Sequence, residues 1–288
     1  MNIRPSDSVI QRLIVGGSAL LLFLLLCYVA HSPLIGWVLT AVLSFLAAAA
    51  LWEYYELAVG RGARPFMRSG IWGAILYTFS CYATMSCFDS HPLPQLVLAL
   101  LLVWVFGLQL TRGVEGAMSN LSETVFGFVY LVLPLSLLLS IAYCPAQDGR
   151  FWLLYVVLVT KVTDIAGFAV GKTLGRHAMA PLISPKKTWE GSIGGITASI
   201  AMSLLIQQLA LFWLDSSRFT LSLGGAVALG GIVALLAQFG DLAESILKRD
   251  AKVKDSSSLP GLGGVLDMVD SLVFTPLAVY FYLWMVVL

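Results

Sequence analysis

Between Asp241 and Asp270 the chain reads D-L-A-E-S-I-L-K-R-D-A-K-V-K-D-S-S-S-L-P-G-L-G-G-V-L-D-M-V-D, a stretch carrying a large share of its few charges. Carboxylates hold hard cations, lysine and arginine neutralise phosphates, and glycines let backbone come close to a ligand. The stretch therefore has the parts for handling phosphate esters. Asp241, Ser245 and Lys248 recur at i, i+4 and i+7 on one helical face, with Glu244 beside them. Asp267 and Asp270 share a face at i, i+3 near the start of the next apolar run. Asp241 and Asp267 are expected to meet across two helices and hold a divalent ion. An aspartate pair without histidine or cysteine favours Mg²⁺ over zinc.

A second polar group lies upstream. Lys161 and Asp164 fall on one face of an apolar run, where charge is costly unless it meets a wet cavity or a partner. An ion pair fastening two helices is the plainer reading of the two. Gly167, Gly171 and Gly175 continue at four-residue spacing, which permits close approach of a helix or a ligand. Lys172, Arg176 and His177 follow, and a solvated loop histidine is the default reading of the last. Then comes P-L-I-S-P-K-K-T-W-E-G, Pro181 to Gly191, with Ser184, Lys186, Lys187 and Thr188 just before a helix. Ser184 or Thr188 would cap that helix, whose N-terminus attracts phosphate. A topogenic, headgroup-binding loop is the competing reading.

The elements that must position these groups are membrane helices. In 288 residues, 59% are hydrophobic and 11% charged, with a mean hydropathy of +0.89. A soluble fold has nowhere to bury so much apolar surface. The net charge of +1 argues against a nucleic-acid partner. Cys27, Cys81, Cys87 and Cys144 lie in or beside apolar runs without C-x-x-C spacing and read as packing residues. Arg4 and Arg12 before an apolar run resemble a secretory signal, but the run suits an uncleaved first span better.

With about 20 apolar residues needed per crossing, the sequence predicts an all-α polytopic protein with nine spans, near 10–30, 34–58, 70–88, 93–111, 122–144, 151–171, 191–213, 221–247 and 266–288. With the N-terminus inside, all but Arg150, Lys161 and Arg218 of the 17 Lys and Arg residues fall in the inside segments, as the positive-inside rule requires. Residues 1–120 read as scaffold. Residues 121–288 read as the catalytic region, with cytoplasmic loops at 172–190 and 248–265. In the scaffold one stretch stands out, W-E-Y-Y-E from Trp52 to Glu56. It reads as an interfacial aromatic belt with Glu53 or Glu56 paired to Arg61 or Arg64. The alternative turns Glu53 inward to support the polar site.

These residues resemble the integral-membrane phosphatidate cytidylyltransferases, the CDP-diacylglycerol synthases. That family's signature is S-x-x-K-R, four residues, K-D-S, then P-G-H-G-G, two residues and D-R-x-D. Here it is met by Ser245, Lys248, Arg249, Lys254, Asp255 and Ser256, then P-G-L-G-G, then Asp267 and Asp270. Upstream, Asp164, Gly171, Lys172, Gly175, Ser184, Lys186, Lys187, Trp189 and Glu190 match two further segments. The likeness covers the C-terminal half. The N-terminal half is similar in hydropathy and the W-E stretch. Leu262 stands where the family has His, and Met268 where it has Arg.

The resemblance implies transfer of a cytidylyl group from CTP to phosphatidate, with Mg²⁺ as cofactor, at the cytoplasmic face of a bacterial inner membrane. It implies catalytic roles for Asp241, Lys248, Arg249, Asp267 and Asp270, with Asp241 and Asp267 on the metal. It implies substrate binding by Asp164, Lys172, Ser184, Lys186, Lys187, Ser245, Lys254, Asp255, Gly263 and Gly264. A homodimer is implied by the resemblance alone. Two other readings compete. A paralogue that binds lipid phosphate or nucleotide with little turnover would suit Leu262 and Met268. An ion-coupled transporter would need an inverted repeat, whereas the charges crowd into the second half.

Overall fold

A computed structural model describes residues 33–86, 92–144, 147–213, 219–253 and 264–286. The expected span at 10–30 and the signature residues Lys254, Asp255, Leu262 and Gly263 lie outside them. The chain is an all-α polytopic membrane protein. Among the described residues seven helical segments are long and apolar enough to cross a bilayer: Ile35–Gly60, Leu93–Arg112, Ala117–Ala142, Gly149–Leu174, Trp189–Phe212, Leu223–Asp250 and Val265–Val286. The segment expected at 70–88 is a helix, Met67–Ser86, that falls outside these seven. Arg68, Ser69, Ser80 and Thr84 dilute its apolar character.

The chain divides into two compact units, with boundaries after Phe128, Lys252 and Met268, so that Val253–Met268 belongs with the N-terminal helices. The first unit contains α1 (Pro33–Gly60), α2 (Met67–Ser86), α3 (Leu93–Arg112) and α4 (Ala117–Gly127). Small residues let these helices close on one another. A Cβ at Gly73 would meet Leu101 at 2.8 Å, and one at Gly127 would meet Tyr54 at 2.5 Å. Outward-facing Val103, Trp104, Phe106 and Leu110 leave α3 mostly exposed, which costs nothing against acyl chains.

Three polar side chains of this unit bond backbone. Asn120 Oδ1 accepts Arg64 N at 2.8 Å and Thr124 Oγ1 accepts Phe66 N at 2.9 Å. Tyr55 OH donates to Thr124 O at 2.9 Å. The non-helical turn between α1 and α2 is thereby satisfied from α4, as buried backbone must be.

After α4 the helix passes through a π-helical turn, Phe128–Val132, into α5 (Leu133–Ala142). Pro134 explains the irregularity, since it lacks an N–H and its ring crowds the preceding turn. The second unit adds α6 (Gly149–Leu174), strands β1 (Ala178–Ala180) and β2 (Ser184–Thr188), α7 (Trp189–Trp213) and α8 (Leu223–Asp250). Short α9 (Val265–Val269) runs into a 3₁₀ turn, Asp270–Leu272, and α10 (Thr275–Val286) follows.

α6 starts at Asp148, whose carboxylate accepts Arg150 N at 3.2 Å, and α8 starts at Ser222, whose hydroxyl accepts Gly225 N at 3.0 Å. Both are ordinary N-caps. α7 lies against α8 through serines: Ser199 Oγ donates to Gly230 O and Ser203 Oγ to Ala226 O, each at 2.7 Å. Hydroxyl-to-carbonyl bonds of this kind hold helices together where lipid provides no hydrophobic drive.

Candidate active site

The site is built where α6, the hairpin, α7 and α8 come together in the second unit. α6 and α7 cross backbone to backbone: a Cβ on Gly191 would stand 2.7 Å from Gly167 O and 3.1 Å from Gly171 Cα. The four-residue glycine spacing in α6 thus admits a partner helix. The segment expected as a loop is an antiparallel hairpin, pairing Ala178 with Thr188 and Ala180 with Ser184. Its root is tied by Glu190, which accepts Arg176 N at 3.1 Å and His177 N at 3.3 Å and bonds His177 Nδ1 at 2.6 Å. His177 is therefore engaged in closing the hairpin. Near the turn, Arg249 Nε donates to Ile183 O at 3.1 Å.

These elements enclose a cavity of about 660 Å³. Gly167, Gly171 and Gly191 form part of its wall. Lys172, Ser184, Lys186, Lys187, Asp164 and Asp241 supply its charge and polarity, and Phe168 and Met179 supply apolar lining. Six of the expected site residues thus face one space. Lys187 Nζ lies 2.7 Å from Asp241 Oδ2, joining hairpin to α8. Lys161 Nζ lies 3.6 Å from Asp164 Oδ2 and donates to Ser271 Oγ at 3.3 Å, so the α6 pair also reaches the 3₁₀ turn.

Beside the cavity, Asp241, Glu244 and Asp270 each offer a carboxylate oxygen, all within 4.8 Å of one another. Gly240 makes this approach feasible, because a Cβ there would collide with the carbonyl of Asp270. Glu244 is fully buried, and Lys248 Nζ lies 2.5 Å from its Oε2 one turn on. A buried carboxylate needs such a partner. The trio presents oxygen alone at short mutual separation, the donor chemistry of a hard divalent cation.

Asp267, expected beside Asp241, is not a member of this trio. It belongs to the first unit, where its Oδ2 accepts Gly264 N at 3.2 Å. The i, i+3 rule presumes a continuous α-helix, and the chain changes to a 3₁₀ turn at Asp270. Ser245 is buried on α8 and is not among the cavity-lining residues. Glu244, Gln238 and Ser192 were not expected as site residues. Ser192 Oγ donates to Gln238 Oε1 at 2.5 Å and Gln238 Nε2 to Ser192 O at 3.1 Å, closing the cavity wall between α7 and α8. Glu244 was visible in the sequence as a second acid in a spanning helix; the other two gave no signal.

Comparison with known proteins extends the resemblance to the whole chain. The cytidylyltransferase family model matches residues 10–286. A phosphatidate cytidylyltransferase of Chlamydia pneumoniae is 30% identical over 289 residues, covering 95% of this chain and 91% of that protein. That of Chlamydia trachomatis is 31% identical over 291 residues, covering 94% and 91%. The chloroplastic phosphatidate cytidylyltransferase 4 of Arabidopsis thaliana is 34% identical over 275 residues, covering 86% and 68%.

Proposed function

Because the chain belongs to the cytidylyltransferase family, we propose that it makes CDP-diacylglycerol and pyrophosphate from CTP and phosphatidate. The observation that carries the reading is the cavity where Lys172, Lys186 and Lys187 face Asp164 and Asp241, with the carboxylate trio adjoining. A phosphatidate oxygen attacks the α-phosphorus of CTP. That P–O bond forms as the bond to the β-phosphate oxygen breaks, and its electron pair leaves with pyrophosphate. The attacking oxygen is already anionic near neutral pH, so no strong general base is needed. The task is to bring two anions together in line, by positioning and charge neutralisation.

Lys172, Lys186 and Lys187 neutralise phosphate oxygens within the cavity. Arg249 holds the hairpin that carries two of those lysines, and Lys187 also orients Asp241. The residues fit a Mg²⁺ ion, which Asp241 and Asp270 would hold with Glu244 beside them. When bound, Mg²⁺ supplies further charge neutralisation and alignment of the triphosphate. Lys248 keeps Glu244 compensated in its buried position. The distribution of Lys and Arg supports a cytoplasmic location for the site in a bacterial inner membrane. Phosphatidate then enters sideways from the inner leaflet.

The test is purified protein in detergent with labelled CTP, phosphatidate and Mg²⁺. Wild type forms labelled CDP-lipid and Asp241→Asn does not. Equal, background-level product from both would overturn the activity. Leu262 and Met268 favour a second reading, a paralogue that binds without turnover. Product gained only on Leu262→His with Met268→Arg would decide for it.

A further inference from the structure

We propose that Lys161 is a positioning residue for the carboxylate trio: its ammonium reaches from α6 to the 3₁₀ turn and fixes the turn that carries Asp270. Lys161 Nζ donates to Ser271 Oγ at 3.3 Å and lies 3.6 Å from Asp164 Oδ2 on the cavity wall. Ser271 is 1% exposed, and its own amide donates to Asp270 Oδ1 at 2.6 Å. A single residue thus receives Lys161 on its side chain and holds the Asp270 carboxylate on its backbone. All four residues belong to the second unit, and Asp270 is a member of the trio.

The turn needs a hold from outside itself. Asp270–Leu272 is a short 3₁₀ piece between α9 and α10, with poorer hydrogen-bond geometry than an α-helix, and Val269 at its start offers no side-chain cap. α8 meets it at Gly240, where a Cβ would stand 2.3 Å from Asp270 O. That contact limits how close the turn comes and gives no direction to the Asp270 side chain. The bond from Lys161 to Ser271 does, because it ties the turn to α6 at the residue whose amide holds the carboxylate. Charge acts in the same sense. Asp164, Asp241 and Asp270 stand near enough to repel one another, and Lys161 attracts both Asp164 and Asp270. An ammonium anchored on Asp164 therefore keeps the turn in place against that repulsion.

The inference rests on the divalent-cation site of the proposed function, and its test reads that site without turnover. Two roles for Lys161 make opposite forecasts. Acting by charge alone, it repels an incoming cation, so its removal tightens binding. Acting through Asp270, its removal weakens binding. Lys161→Met keeps the length of the side chain without the charge, and Ser271→Ala removes the acceptor while the charge stays. Thr160→Val is the control: Thr160 Oγ1 donates to Thr275 Oγ1 at 3.1 Å, tying α6 to α10 outside the cavity lining and the trio. Mn²⁺ alone is titrated against the full chain in phosphatidylcholine nanodiscs, with free ion counted by electron paramagnetic resonance. Asp241→Asn assigns the bound ion to the trio.

The expected result is a Kd for Mn²⁺ raised about 10–100-fold in both Lys161→Met and Ser271→Ala, the range for partners that orient a metal ligand from behind. The double variant binds no more weakly than the weaker single, since both changes break one bond. Thr160→Val lowers the thermal unfolding midpoint and leaves the Kd at the wild-type value. Unchanged or tighter binding in Lys161→Met overturns the proposal, and so does an unchanged Kd in Ser271→Ala. An equal loss in Thr160→Val also overturns it, because general loosening would then explain all three. A wild type with no bound Mn²⁺ that Asp241→Asn removes defeats the metal site and the positioning role together. Weaker binding in both variants of a protein that makes no CDP-lipid would strike the activity and uphold the positioning role.

Discussion

Two polar clusters, one in each unit, hold their oxygens in opposite ways. In the first, Asn120, Thr124 and Glu53 spend their oxygens on backbone amides, at Arg64, Phe66, Val265 and Leu266. Each such bond has one partner that cannot move without moving the chain. In the second, charge meets charge on side chains: Lys187 with Asp241, Lys248 with Glu244, Lys161 with Asp164. Asp241 is 39% and Asp164 34% exposed at the side chain, so solvent or an incoming ion reaches both. Backbone-bound oxygens build a frame; paired side chains on a cavity wall can exchange partners. Under the proposed function, a phosphate would take over a lysine and a cation a carboxylate.

Substitutions can break or sharpen this contrast. The largest effect is expected for Asp241→Asn and Asp270→Asn, each losing about 10²–10³-fold in CDP-lipid formation with folding intact. A variant that keeps wild-type turnover removes its residue from the chemistry. Lys187→Ala comes next. It strips a cation from the cavity and leaves Asp241 uncompensated, so kcat/KM for CTP should fall about 10–100-fold, as loss of a charged hydrogen bond implies. An unchanged value would make the ion pair only a fastening between hairpin and α8.

Gly191→Ala should destabilise by about 1–3 kcal/mol, because its new methyl meets the backbone of α6, and detergent thermal unfolding reads this directly. Smallest in catalytic effect is Asn120→Ala. It strands the Arg64 amide at a cost of about 1–3 kcal/mol in stability, while kcat of the folded fraction stays at wild type. A kcat loss there would erase the distinction between frame and site.

The membrane helices were legible because apolar runs of that length have no other home. The lysine-bearing segment was legible as chemistry but not as structure. Two prolines in P-L-I-S-P-K-K-T read as loop, yet Pro185 stands in a two-stranded hairpin, where an edge tolerates a missing N–H. Asp270 was legible as an acid, but its partners depended on where a helix changes to a 3₁₀ turn, which periodicity does not reveal. Glu53 posed two alternatives in the sequence. Its burial agrees with the inward one, while its amide partners, more than two hundred residues away, leave no local trace. Cys81 and Cys144 are buried, as packing residues should be.

The glycine crossing of α6 and α7 bears on how such a site can diversify. Where Gly167, Gly171 and Gly191 line the cavity, its wall is peptide, and a side chain added at Gly191 would press on Gly167 O and Gly171 Cα and prise the two helices apart. Variation in what this wall admits falls more readily on side chains such as Phe168 and Met179, which supply its apolar lining. At the crossing the shape of the cavity is set by backbone, and change is confined to its margins.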